Sequence, residues 1–182
     1  VAYAQNSRLG GGAAGELETD VIVRALRRAR QRDAPVVAFL ESAGARLQEG
    51  AAALGGLGRV FAENVACTGR VPQISVLTGT AAGGGCYSPA LTDFVVMTER
   101  GNMFLTGPAV VRDVMGEDVS AADLGGYKVH EKNGVAHFVA KDDSDAALLV
   151  RDLIDHLPSS DAERAPRWRS SDPVGYDAGE PV

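Results

Sequence analysis

Two small-residue turns, each set directly behind a short apolar run, narrow what this chain can fold into. The first follows Val36-Val37-Ala38-Phe39-Leu40 and spans Ser42-Ala43-Gly44-Ala45-Arg46-Leu47-Gln48-Glu49-Gly50. The second follows Val71 to Thr78 and spans Thr80-Ala81-Ala82-Gly83-Gly84-Gly85-Cys86-Tyr87-Ser88-Pro89-Ala90. Continuous apolar runs of this length suit strands buried on both faces, which occur in parallel sheets covered by helices. The prediction is therefore an α/β domain whose two turns lie at the carboxyl ends of neighbouring strands, where ligands of α/β folds bind. Glycine lets a ligand approach backbone amides, and amides at a helix start bind anions and nascent oxyanions without a nucleophile, base or metal. A turn of this kind also serves simply to pack a helix closely on a sheet.

The remaining chain supplies the crossovers. Val1 to Ala4 fits a strand remnant, and Gln5 to Gly15 a loop built on Gly10-Gly11-Gly12-Ala13-Ala14-Gly15. A helix is expected next, with Leu17, Val21, Ile22, Ala25, Leu26 and Ala29 as its apolar stripe and Arg24, Arg27, Arg28 and Arg30 as a solvated face. A second helix is expected from about Glu49 to Ala66, with Leu54, Leu57, Phe61 and Val65 on one face and Gly55, Gly56 and Gly58 marking close packing. Short strands are expected at 93–98 and 103–106. Gly107-Pro108 opens a helix to Met115, Ser120 starts another, and a last helix spans 142–157 with acidic residues at its N-terminus. His130 and His137 suit structural roles better than a general base.

Gly10 to Gly15 satisfies G-x-G-x-x-G, so dinucleotide binding is one alternative. Against it, Gln5-Asn6-Ser7-Arg8 separates the strand from the motif, and Glu41 lies 26 residues past Gly15 instead of about 20. The chain has 182 residues, 24 acidic against 18 basic, and a net charge of -6, which argues against a duplex nucleic acid partner. Its two cysteines, Cys67 and Cys86, form neither a metal-ligand spacing nor a disulfide framework. With no apolar run long enough to cross a bilayer and no signal pattern, a cytoplasmic location is expected. One domain is expected over 1–157, beginning inside a strand as a segment of something longer, followed by a polar linker or arm over 158–182 that carries Trp168.

In order along the chain, Glu41 to Gly50 resembles D-S-G-G-A-R-[IL]-Q-E-G, Gly69 to Ser75 resembles G-x-[IV]-P-Q-I-S, and Ala82 to Asp93 resembles A-G-G-x-x-Y-S-P-A-L-T-D. Met103 to Pro108, Gly116-Glu117-Asp118-Val119, Leu124-Gly125-Gly126, Lys128-Val129-His130 and Gly134 to His137 continue the series. Together they resemble the β-type carboxyltransferase subunits of biotin-dependent acyl-CoA carboxylases, the acetyl-/propionyl-CoA carboxylase family. The chain departs from that pattern at Glu41 and Ala43 of the first turn, at Gln5-Asn6-Ser7, and at Gly85-Cys86.

The resemblance implies a single-domain crotonase-like α/β fold, the ClpP/crotonase β-β-α superhelix. It also implies a carboxyltransferase that moves CO2 from carboxybiotin to the α-carbon of a short acyl-CoA through an enolate. The oxyanion hole falls on the amides of Ala45 and Gly84, flanked by Gly44, Gly83 and Gly85. Arg46 is left between a CoA phosphate contact and a structural salt bridge. Tyr87 stands where crotonase hydratases carry a glutamate, which disfavours hydration. Implied partners are acyl-CoA, a biotin carboxyl carrier domain, a biotin carboxylase subunit and a homologous carboxyltransferase domain in an oligomer. Biotin is expected on the separate carrier, and no metal or membrane is implied. A biotin-dependent decarboxylase or transcarboxylase subunit is the near alternative, and a noncatalytic assembly module of the same fold the distant one.

Overall fold

The computed structural model describes residues 1–167. Its centre is a parallel sheet of β1 (Ala2–Ala4), β2 (Val36–Ser42), β3 (Gln73–Ala82), β4 (Phe94–Thr98) and β6 (Phe138–Ala140) in that spatial order. β5 (Asn102–Phe104) pairs in parallel with the far end of β3, Thr80 to Ala82. β3 thus runs past its neighbours and carries the second glycine turn beyond the sheet. The strand order has no reversal between β1 and β4, so the dinucleotide-fold switch point has no counterpart here.

Side-chain alternation on these strands feeds two packed faces. Val37, Ile74, Val76 and Val96 meet Ala146 and Val150 of α7 (Asp143–His156). Ala38, Leu40, Leu77, Val95 and Met97 meet Cys86, Met103 and Ala136. A third cluster joins α1 (Glu16–Gln31) to α2 (Ala51–Cys67) through Ile22, Val23, Leu26, Ala29, Val60 and Cys67. The shorter helices are α3 (Tyr87–Ala90), α4 (Pro108–Met115), α5 (Ala121–Gly125) and α6 (Tyr127–Asn133). α4 starts on the expected Pro108, Ser120 caps α5, and Asp142 caps α7 by accepting from the amides of Ser144 and Asp145, each at 3.0 Å.

The expected apolar stripes hold at Ile22, Leu26, Ala29 and Leu57, which are buried, and are corrected at four positions. Leu17 and Val21 of α1 are exposed, and so are Leu54 and Val65 of α2. α2 instead buries Ala53, Gly56, Leu57, Val60, Glu63, Asn64 and Cys67. The reason lies at Gly56, where an added Cβ would overlap the buried Thr19 of α1. Close approach of the two helix backbones, rather than the bulk of the leucines, sets which face turns inward; Gly55 and Gly58 look onto open space.

Glu63 is 9% exposed and is held by Arg27 Nε at 2.6 Å and a terminal guanidinium nitrogen of Arg30 at 2.9 Å. Arg27 stays exposed and Arg30 partly so, and the expected solvated face supplies both partners of Glu63. Burial opposes ionisation of Glu63, but the hydrogen bonds from Arg27 and Arg30 outweigh it and hold the carboxyl below its ordinary value of 4.5. A depressed carboxyl contributes stability that is complete above the ordinary value and is lost as pH falls through the depressed one. Melting curves should therefore show a gap between the native chain and Glu63→Gln that closes as pH is lowered below 4.5. A gap of constant size down to the acid limit would contradict this coupling.

Past α7 the chain returns to the body. Ser160 is buried and the Asp161 amide donates to the Arg70 carbonyl at 2.8 Å. Trp168 and the rest of the expected arm, residues 168–182, lie outside the described residues. Among the described residues, no helix is long and apolar enough to cross a membrane.

Candidate functional site

The two turns meet. A Cβ built on Gly44 would stand 2.9 Å from the Ala82 carbonyl oxygen and 3.3 Å from the Gly84 amide nitrogen, and one built on Gly84 would stand 4.0 Å from the Ala45 amide nitrogen. Between them opens a cavity of about 420 Å³ lined by Gly10, Ala13, Ala43, Gly44, Ala45, Leu47, Gln48, Gly83 and Gly84. None of these side chains is ionisable. Of the predicted site residues, Gly44, Ala45, Gly83 and Gly84 border this space directly; Gly85 lies behind them, packed against Ser42.

The first turn is fixed by the Gly10 to Ala14 segment, in the role left over for that glycine-rich stretch. The Ala43 amide donates to Gly11 O at 3.0 Å, the Ala14 amide to Gly44 O at 2.7 Å, and the Arg46 amide to Ala14 O at 2.9 Å. The Gly44 amide donates to Ser42 Oγ at 3.2 Å. The amides on either side of Ala45 are thus occupied, whereas that of Ala45 has no acceptor among the described residues. Gly84 is the second residue of the short 3-10 turn 83–86, ahead of the first amide that such a turn can satisfy internally. Ala45 and Gly84, the two residues whose amides the sequence pointed to, thus border the same space. Ala43, where the motif departs from glycine, is exposed and keeps its amide on Gly11, so the substitution is accommodated.

Arg46 has structural partners. Its guanidinium bonds Glu49 Oε1 at 3.0 Å and the Ala13 carbonyl at 3.1 Å, and it pairs closely with Glu18. Glu49 in turn accepts from the Glu16 amide at 2.7 Å, tying the start of α1 to the turn. Two carboxylates already balance the charge of Arg46. Arg46 also lines a mostly apolar cavity of about 210 Å³ together with Tyr3, Leu9, Val21 and Ile22.

The second turn is anchored from below by a buried polar set that sequence reasoning passed over. Ser88 Oγ donates to Asn64 Oδ1 at 2.9 Å, Asn64 Nδ2 donates to Gln73 Oε1 at 3.0 Å, and Gln73 Nε2 returns to the Asn64 carbonyl at 3.1 Å. The signal available in the sequence was an Asn and a Gln falling among apolar positions of a helix and a strand. Tyr87, 47% exposed, packs its ring 5.5 Å from that of Phe61. His130 Nε2 donates to Met103 O at 2.7 Å, and His137 Nδ1 accepts from the Val95 amide at 3.1 Å. Both histidines join elements of the fold and neither lines the cavity. Cys86 is buried, and burial pushes its thiol above the ordinary value. Among the described residues no cluster suited to a metal ion is found.

A parallel sheet in unbroken order, with two small-residue turns converging at its carboxyl end, defines a crotonase-like domain. Residues 1–181 match the family described as the carboxyl transferase domain, and the chain belongs to that family. It is 47% identical over 167 residues to the methylmalonyl-CoA decarboxylase subunit alpha of Veillonella parvula, covering 91% of this chain and 33% of that protein. It is 44% identical over 165 residues to the methylmalonyl-CoA carboxyltransferase 12S subunit of Propionibacterium freudenreichii subsp. shermanii, covering 90% and 32%. Among solved structures, the transcarboxylase 12S hexamer with hydrolysed methylmalonyl-CoA bound superposes with a TM-score of 0.89 at 42% identity, covering 94% of this chain and 34% of that one. The chain thus spans about a third of the length of these relatives.

Proposed function

We propose that this chain is the acyl-CoA-binding half of a biotin-dependent carboxyltransferase, and that the amides of Ala45 and Gly84 form its oxyanion hole. The observation that carries the proposal is that Ala45 and Gly84, from the two separate turns, border one cavity whose lining holds no ionisable side chain. When the α-proton leaves an acyl-CoA, the C–H electron pair forms the enolate double bond and negative charge develops on the thioester oxygen. Two fixed amides in a confined site stabilise that charge, and losing one such donor costs about 3 to 4 kcal/mol of barrier. The α-carbon of the enolate then forms its bond to CO2. Carboxybiotin, brought on a carrier domain, supplies the CO2. The residues here bind the thioester, orient it and hold the oxyanion; since no base lines the cavity, the proton acceptor comes from outside that lining.

Backbone donors suit the biotin-dependent chemistry because they stabilise the same enolate in either direction. Decarboxylase and transcarboxylase relatives are consistent with this, and the keto-acid, carboxylase or membrane-pump character of the partner subunit separates the readings. Biotin carboxylase, carrier and a homologous carboxyltransferase domain are the proposed partners, in an oligomer.

Calorimetric titration of the full chain with a short acyl-CoA tests the proposal. Gly84→Val should weaken binding more than about tenfold, because the new branch crowds the amide and presses on Leu57 beneath it. Unchanged affinity in Gly84→Val would remove Gly84 from the site. Failure of the native chain to bind any acyl-CoA would favour a noncatalytic assembly module.

A further inference from the structure

Ser42 stands where the three glycine segments converge. It is 1% exposed at the end of β2, paired in register with Ala81 of β3. Its hydroxyl donates to the Gly12 carbonyl at 2.9 Å and accepts from the Gly44 amide at 3.2 Å. On its other side, a Cβ built on Gly85 would lie 3.0 Å from both Cβ and Oγ of Ser42 and 3.2 Å from its carbonyl oxygen. One small side chain therefore bonds the turn that carries Ala45, bonds the loop that braces that turn, and touches the turn that carries Gly84.

We infer that Ser42 is a positioning residue for the oxyanion hole, aligning the Ala45 amide on the oxygen that the Gly84 amide also meets. This inference rests on the proposed acyl-CoA reading. Ser42 is not placed on the ligand; it acts through residue Gly44, whose nitrogen it holds and whose carbonyl carbon, one Cα further on, is bonded to the Ala45 nitrogen. Occupying the Gly44 N–H also stops that group from rotating into competition for the thioester oxygen. Alignment errors of this kind weaken a preorganised donor without removing it.

Two CoA analogues separate alignment from general loosening. One is a ketone in which CH2 replaces the thioester sulfur and the carbonyl oxygen remains; the other is an alkyl-CoA thioether with no carbonyl. The native full chain should prefer the ketone. In Ser42→Ala the ketone should lose about tenfold in affinity while the thioether is unchanged, since only the ketone reads the amide pair. Ser42→Cys, which keeps the bulk and offers a weaker donor and acceptor, should fall between them and covers the case in which the alanine variant folds poorly. If the native chain binds both analogues alike, the oxyanion reading fails and this inference with it. If the native chain prefers the ketone and both variants keep the full preference, the role of Ser42 alone is overturned, as it is if both analogues weaken equally.

Discussion

Gly44→Ala is expected to separate the two turns, lowering stability by about 2 to 5 kcal/mol and abolishing the preference for carbonyl-bearing CoA analogues. Gly44 has φ +92, in the left-handed region. Placing an L side chain there costs about 1 to 2 kcal/mol by itself. The added Cβ would also press on backbone on both sides of the second turn, at 2.9 Å from Ala82 O and 3.3 Å from Gly84 N. Backbone cannot yield as a side-chain tip does, and overpacking of this kind adds about 1 to 3 kcal/mol. Relief comes only if the turns part, which moves the Ala45 and Gly84 amides away from a common oxygen. Gly50→Ala is the control: Gly50 has φ +55 but meets nothing within 4 Å, so it should show the conformational cost without the loss of binding. Urea midpoints and analogue titrations on the two variants check this. Equal behaviour of Gly44→Ala and Gly50→Ala would deny that the close approach of the turns matters.

The frame of the fold was legible because its signals are local. Val36 to Leu40 and the run ending at Thr78 announced buried strands, Pro108 opened a helix, and Ser120 and Asp142 capped two more. The strand at 73–78 proved longer, running to Ala82, because β5 pairs with its extension. The pairing of the turns was an inference from strand ends, and the family resemblance named the two amides before any geometry did. Less legible was whatever depends on long-range closeness. Leu54 and Val65 were expected inward from periodicity, yet the contact of Gly56 with Thr19 rotated α2 so that Asn64 and Glu63 are buried in their place. The partners of Glu63 lie on α1, more than thirty residues away, and the partners of Arg46 lie on α1 and in its own turn. Likewise Gly10 to Gly15 matched a cofactor fingerprint because its glycines are visible, while the backbone bonds it makes to Ala43, Gly44 and Arg46 are not. A Cβ on Gly12 would overlap the Glu41 carbonyl oxygen, which explains one of those glycines by backbone contact alone.

The rotation of α2 gives Asn64 a consequence for the site, and Asn64→Leu is the second large effect expected. Asn64 is 1% exposed, and its side chain satisfies Gln73 Oε1 and Ser88 Oγ, both also buried. Leucine keeps the branched four-atom side-chain skeleton, so the substitution opens no cavity and tests hydrogen bonding. It leaves an acceptor and a hydroxyl unpaired, at about 1 to 3 kcal/mol each, for a total of about 2 to 6 kcal/mol. The Gln73 amide group keeps its bond to the Asn64 carbonyl, so β3 stays attached to α2 while the Ser88 tether is lost. Ser88 belongs to α3, directly behind the turn that carries Gly84. Loosening it should reduce analogue affinity as well as the urea midpoint. A double-mutant cycle with Ser88→Ala makes the attribution: once the hydroxyl is gone, Asn64→Leu no longer orphans it, and the double variant should be more stable than the sum of the singles predicts by about 1 kcal/mol or more. Strict additivity would mean that Asn64 and Ser88 act independently and that the second turn is held by its backbone alone.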